Sequence, residues 1–220
     1  MAKIPKIALI GNPNAGKSSL FNTLTGLRQK TGNFPGVTMD KLTGVWELGP
    51  KNEIEILDLP GIYSIYPKSI DEELVINILG NPAHPDYPDM AIVVADASNL
   101  KRNLLLFSQV RDLGIPTVLA LNMIDVAENE GYVINSIKLA RELSVEVAEV
   151  NAKKGIGVNG LKLAVQKTLE NRFSSNDGLP LPVSEELINE IQAQFGEVDP
   201  YRSLLWLMEH DRMKMFTKTQ

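Results

Sequence analysis

Apolar residues fall into short, nearly continuous runs at positions 6–10, 90–96 and 117–121. Such runs mark strands whose two faces are both covered. Residues 39–48 alternate more loosely, with Leu42, Val45 and Trp46 among the apolar members, and 53–58 forms another strand. The turn Gly49-Pro50-Lys51-Asn52 between them predicts a hairpin. Helical spacing marks residues 18–24, a segment from Ser69 to about Leu79, and residues 99–113, 136–143 and 158–173. Ser69 with Glu72 is a capping-box signature, and Gly114 with Pro116 ends the helix over 99–113. Residues 145–150 are a short strand, while 26–38 and 81–89 read as loops.

Strands alternating with helices predict an α/β fold: three layers, with a mostly parallel sheet between helices. The pattern breaks at Ser174-Ser175-Asn176-Asp177-Gly178-Leu179-Pro180-Leu181-Pro182, a linker. Beyond it, residues 184–195 and 201–216 predict two helices. The expected organisation is a main domain over 1–173, a linker over 174–182 and a small, all-helical, partial domain over 183–220. Two helices bury little area alone, so they must dock on the first domain or begin a bundle completed elsewhere.

Composition narrows the function classes. A hydrophobic fraction of 44% over 220 residues supports a sizeable core. The formal charge of -5 disfavours a broad nucleic-acid-binding face. There is no cysteine, which removes disulfides and thiolate metal sites and is compatible with a cytosolic setting. No apolar run approaches the ~20 residues of a membrane helix, and Met1-Ala2-Lys3-Ile4-Pro5 lacks the apolar core of a secretory leader. His84 and His210 lie in unrelated regions, so no metal site is read from them.

The chemistry concentrates between the predicted strands and helices. Gly11-Asn12-Pro13-Asn14-Ala15-Gly16-Lys17-Ser18 fits G-x-x-x-x-G-K-[ST], a phosphate-binding loop, and lies between a buried strand and a helix. Backbone N–H groups from this loop through Ser19 wrap phosphates, and the helix N-terminus adds partial positive charge. Lys17 sets an ammonium against the terminal phosphates, and the Ser18 hydroxyl ligates Mg²⁺. Asp58-Leu59-Pro60-Gly61 closes a strand, with Asp58 placed to hold the Mg²⁺ shell and the Gly61 N–H to meet a γ-phosphate. Asn122-Met123-Ile124-Asp125 closes another. A carboxylate at Asp125 accepts from guanine N1–H and the 2-amino group, donors that adenine lacks, and Asn122 braces neighbouring loops and touches the base. In Asn151-Ala152-Lys153, the Ala152 N–H is expected to contact the guanine carbonyl and the Lys153 stem to lie on the base. Thr38, in a polar loop, is a candidate Mg²⁺ ligand recruited when a γ-phosphate draws that loop in.

Together these segments resemble a translation-factor-class GTPase. Many such enzymes place Gln after D-x-x-G to orient water; here Ile62 stands there, implying slow hydrolysis or another device. In relatives with Asn at the position of Asn14, the amide helps bind K⁺ beside the phosphates, which implies a K⁺ site here. The alternative is that Asn14 merely tolerates the backbone geometry of the loop. A switch without turnover is a further reading that Ile62 leaves open.

The runs Gly32-Asn33-Phe34-Pro35-Gly36-Val37-Thr38, Asp58-Leu59-Pro60-Gly61-Ile62-Tyr63-Ser64-Ile65 and Ser69-Ile70-Asp71-Glu72-Glu73 resemble the N-terminal cytosolic GTPase domain of the bacterial ferrous-iron transporter B family. Arg202, Trp206 and Glu209 resemble its helical domain, which slows GDP release in relatives. The resemblance implies GTP and GDP as ligands, Mg²⁺ and K⁺ as cofactors, and regulation of ferrous-iron uptake by a membrane permease region that would follow this chain. It implies a soluble fragment at the cytoplasmic side of the bacterial inner membrane, no nucleic-acid partner, and room for a homo-oligomer. The competing reading is a soluble GTPase of ribosome assembly or tRNA modification; the acidic charge and missing basic appendage count against it.

Overall fold

The protein is described here by a computed structural model covering residues 4–26, 29–34, 39–50, 52–170, 186, 189, 190, 193, 199–209 and 211–213. Seven strands form one sheet in the order β2-β3-β4-β1-β5-β6-β7. They are β1 (Lys6–Gly11), β2 (Gln29–Asn33), β3 (Asp40–Gly49), β4 (Asn52–Asp58), β5 (Met90–Asp96), β6 (Thr117–Asn122) and β7 (Glu146–Val150). Pairing from β4 through β7 is parallel, and β2 and β3 add an antiparallel edge. The helices are α1 (Lys17–Thr25), α2 (Ile70–Leu79), α3 (Leu100–Asp112), α4 (Ile124–Asn129), α5 (Ser136–Leu143), α6 (Val158–Glu170) and α7 (Pro200–Glu209).

Side-chain alternation along β1 sorts the core into two layers. Ile7 and Leu9 pack with Leu20 and Phe21 of α1 and Leu161 of α6. Ala8 and Ile10 pack with Ile76 of α2, Leu106 and Phe107 of α3, and Leu205 of α7. The central strands therefore read as uninterrupted apolar runs, as their sequences predict. The capping box at α2 forms with one change. Ser69 Oγ accepts from the Glu72 N–H at 3.3 Å, but Glu72 Oε2 accepts from the Lys68 N–H at 2.7 Å.

Three expectations are corrected. Residues 29–33 are not loop but β2, which pairs with β3 in the register Gln29↔Gly44 to Asn33↔Asp40. All five residues of β2 are exposed, so the strand carries no apolar alternation to read. The short α4 was not expected; Ala127 is its single buried residue. The last helix ends at Glu209, not Phe216, and a turn follows at Asp211 and Arg212, where the Arg212 N–H donates to Glu209 O. The linker 174–182, Thr38 and His210 lie outside the described residues; in 184–195, Glu186, Asn189, Glu190 and Ala193 are helical.

The C-terminal helix docks on the main body. Trp206 Nε1 donates to Gly80 O at 2.9 Å, Arg202 Nη2 donates to Tyr87 Oη at 2.8 Å and also to Leu113 O, and the Tyr66 and Tyr201 hydroxyls meet at 3.2 Å. Gly80 is required at this contact, because a Cβ there would lie 2.7 Å from Met213 Cε and 2.8 Å from Ile76 O.

Candidate functional site: a phosphate cradle and a base-reading edge

Four of the predicted site segments, 11–19, 58–61, 122–125 and 151–153, converge on the C-terminal rim of the parallel strands, the usual ligand edge of an open α/β sheet. The loop from Asn12 to Gly16 joins β1 to α1. Gly16 adopts φ 87° and caps α1 with no side-chain hydrogen bond. The first N–H groups of a helix lack intrahelical partners, so an uncapped start of this kind is suited to an anion. A Cβ at Gly11 would lie 2.7 Å from Val94 O, and one at Gly16 would lie 2.1 Å from Asn122 Nδ2 and 3.4 Å from Met123 Cε. Asn14 is exposed with φ 68°, a left-handed value that Asn tolerates better than most side chains. Ser18 is exposed and Ser19 half-buried on the first turn of α1.

Lys17 does not point into open space. Its ammonium is paired with Asp58 Oδ1, and both side chains are nearly buried. Burial pushes the Asp58 carboxyl above its ordinary range, partly offset by Lys17. The turn after Asp58 leans on the phosphate loop: Leu59 N–H donates to Leu9 O, Ile62 N–H donates to Gly11 O, and a Cβ on Gly61 would lie 3.3 Å from Pro13 Cα. Ile62 is 1% exposed and belongs to the core with Phe34, Leu59 and Ile65. It is thus a packing residue and cannot orient water. Phe34 and Met39, which flank the segment containing Thr38, are joined by a Phe34 N–H to Met39 O bond of 3.1 Å.

The opposite end is built from side chains. Asn122 Nδ2 donates to Ala15 O at 2.9 Å, and its Oδ1 accepts from the Ala152 N–H at 3.0 Å. Asn122 therefore braces the phosphate loop against the loop after β7, as its sequence position suggests. The same bond corrects an expectation: the Ala152 N–H, read as a partner for a base carbonyl, is buried and engaged by Asn122. Thr23 Oγ1 of α1 donates to Ala152 O at 2.7 Å, a second tie across the site. Met123, with φ 61°, turns the chain into α4. Asp125 Oδ2 accepts from Asn151 Nδ2 at 2.8 Å and from Lys154 Nζ at 3.0 Å. Lys154, aided by Asn151, holds the Asp125 carboxyl below its ordinary range. Lys153 is exposed beside this loop.

Lys154 was missed by the sequence reading. The available signal was a lysine next to Lys153, on a loop predicted to meet the Asp125 carboxylate. The tight return of that loop rests on Gly157 (φ 82°), where a Cβ would lie 2.0 Å from Glu149 O.

Fold and site together are those of a P-loop GTPase domain. The sequence profile described as "Ferrous iron transport protein B" matches residues 5–165. The chain belongs to this family, FeoB, and corresponds to its N-terminal G-domain. The Fe(2+) transporter FeoB of Shigella flexneri is 40% identical over 190 residues, which is 84% of this chain and 23% of that protein's length. The cytosolic domain of L. pneumophila FeoB superposes with a TM-score of 0.78 at 37% identity, covering 94% of this chain and 88% of that one. A GDP-bound mutant of the S. thermophilus FeoB G-domain superposes with a TM-score of 0.76 at 36% identity, covering 94% and 79%. No helix among the described residues is long and apolar enough to cross a membrane.

Proposed function

We propose that this chain binds guanine nucleotides, hydrolyses GTP slowly, and regulates ferrous-iron uptake by a membrane permease region of the same protein. The observation that carries the reading is the pair of hydrogen bonds by which Asn122 donates to Ala15 O and accepts from the Ala152 N–H, holding the phosphate cradle and the strand end that carries Asp125 in one frame. The GDP-bound relative supports it.

Backbone N–H groups from Asn14 to Ser19 receive the phosphates, and Asp125 accepts the two guanine donors with Met123, Asn151 and Lys153 around the base. Phosphate binding draws Lys17 from Asp58 onto the terminal phosphates. Asp58 then needs a new cation, because its burial disfavours an isolated charge. The donor set of Asp58, Ser18 and Thr38 is all oxygen, which suits Mg²⁺; when bound, the ion neutralises charge developing on the phosphates. Gly61, packed on Pro13, offers its N–H to the γ-phosphate. Asn14, exposed at the cradle, supplies an amide oxygen to K⁺, in place of the water-orienting side chain that Ile62 does not provide.

The proposed division is a G-domain over 1–173, a linker over 174–182 and part of a GDP-retaining helical domain over 183–220. Competition against a fluorescent GDP tests the core of the reading: GTP and GDP should displace it and ATP should not. Equal displacement by ATP overturns the guanine assignment.

A further inference from the structure

Asn12 is the second residue of the phosphate loop and is 4% exposed, yet neither its Nδ2 nor its Oδ1 has a hydrogen-bond partner. A buried carboxamide left unpaired raises the free energy of the state that contains it. Its place in the fold shows what lies within reach. Asn12 follows Gly11, the residue that pairs with Val94 at the end of the β1–β5 ladder. Pro13, the next residue, touches Gly61, and Gly11 O accepts the Ile62 N–H at 3.2 Å. The backbone over 60–62 thus adjoins the residues on both sides of Asn12.

A second carboxamide marks the same rim. The buried stripe of α3 is Asn103, Leu106, Phe107 and Val110. Asn103 lies nearest the start of the helix, which follows the C-terminal end of β5. Its Nδ2 donates to Asn99 O at 2.8 Å, and its Oδ1 has no partner. The segment after Asp58 contributes Leu59, Ile62 and Ile65 to the apolar cluster that also holds Leu106, Phe107 and Val110 of α3.

We propose that Asn12 is a positioning residue for the triphosphate state. Its carboxamide takes the backbone of residues 60–62 as partner when that segment moves toward a γ-phosphate, so the amide favours the GTP-bound arrangement over the resting one. The inference rests on the guanine-nucleotide reading above and deepens it: Lys17 senses the charge of the phosphates, and Asn12 rewards the movement of the turn.

The test uses the full chain as wild type, Asn12→Ala and the near-isosteric Asn12→Leu. Affinities for fluorescent GDP and for a non-hydrolysable β,γ-imido GTP analogue are measured, together with ligand-free melting. The expected result is a loss of analogue affinity about tenfold greater than the loss of GDP affinity, with the ligand-free Tm of Asn12→Leu unchanged or raised. Equal losses for both nucleotides, or no loss, overturn the proposal. So does a lowered ligand-free Tm or a failure of Asn12→Leu to fold, because either shows the amide already partnered at rest. Wild-type protein that binds neither nucleotide defeats the nucleotide reading itself, which separates the two failures.

Discussion

The two ends of the site are made of different material. The base end consists of side chains already bonded to one another: Asp125 to Asn151 and Lys154, and Asn122 to both flanking loops. The phosphate end is mostly backbone, an uncapped helix start behind Gly16, and its one charged side chain is engaged on Asp58. On the proposed function, the base is therefore selected by a frame that exists before binding, which limits the ordering cost. The phosphates are recognised only after an exchange of ionic partners. On that reading, the base is recognised by fixed geometry and the phosphates by a rearrangement.

The largest break in that comparison is expected from Asp125→Asn. The amide presents a donor where guanine also donates, so the preference between GTP and xanthosine triphosphate should swing by roughly 10⁴. Competition binding measures it, and the ratio of triphosphate to diphosphate affinity should stay as it was. Lys17→Ala acts at the other end. It should weaken GTP, GDP and their xanthine counterparts alike, by ~10²–10³, because it removes a charge-assisted contact and strands the Asp58 carboxylate. Retained micromolar affinity would count against the phosphate cradle. Asn14→Ala sharpens the phosphate end further: hydrolysis in the wild type should run faster in KCl than in NaCl, by about tenfold, and the difference should vanish in the variant. Equal wild-type rates in both salts remove the K⁺ site.

The smallest effect is expected from Lys154→Ala. The ion pair with Asp125 is largely solvent-exposed, so GDP affinity at neutral pH should change by less than about threefold. Its acid limit should move. Lys154 holds the Asp125 carboxyl below its ordinary range, so the ionised form that accepts from the base persists to lower pH in the wild type. In the variant, affinity should begin to fall at a higher pH, approaching the ordinary carboxylate value near 3.9. GDP titrations through the acid range check this; an unmoved acid limb would show that Lys154 does not set it.

Legibility in the sequence followed burial. The run over 90–96 announced β5 because every residue but Asp96 is fully covered, and Ser69 announced α2 through its cap. Strand β2 gave no signal, because an edge strand with five exposed side chains has no apolar alternation; it is held by backbone pairing with β3 and by the Gln29 amide, which donates to Asn22 Oδ1 and Gly26 O. The site divides the same way. Gly11, Gly16, Asp58, Asn122 and Asp125 could be singled out in the sequence because, on the proposed function, phosphate and base chemistry restrict the residue type. The partnerships Lys17–Asp58 and Lys154–Asp125 and the engagement of the Ala152 N–H were not, since they depend on which loops the fold brings together. Ile62 shows the limit most clearly. Motif comparison gave it a missing function, whereas packing gives it a structural one, and Ile62→Ala should cost ~2–5 kcal/mol of stability as a buried large-to-small change.

The bare start of α1 also bears on how the protein persists in a cell. A helix whose N-terminal donors await an anion leaves part of its own fold to be completed by its ligand. With nucleotide at a hundred times its dissociation constant, mass action would add about 2.7 kcal/mol to folding stability. Resistance to heat and proteolysis would then rise and fall with the surrounding nucleotide concentration, so the lifetime of the chain would itself report the energetic state of its host.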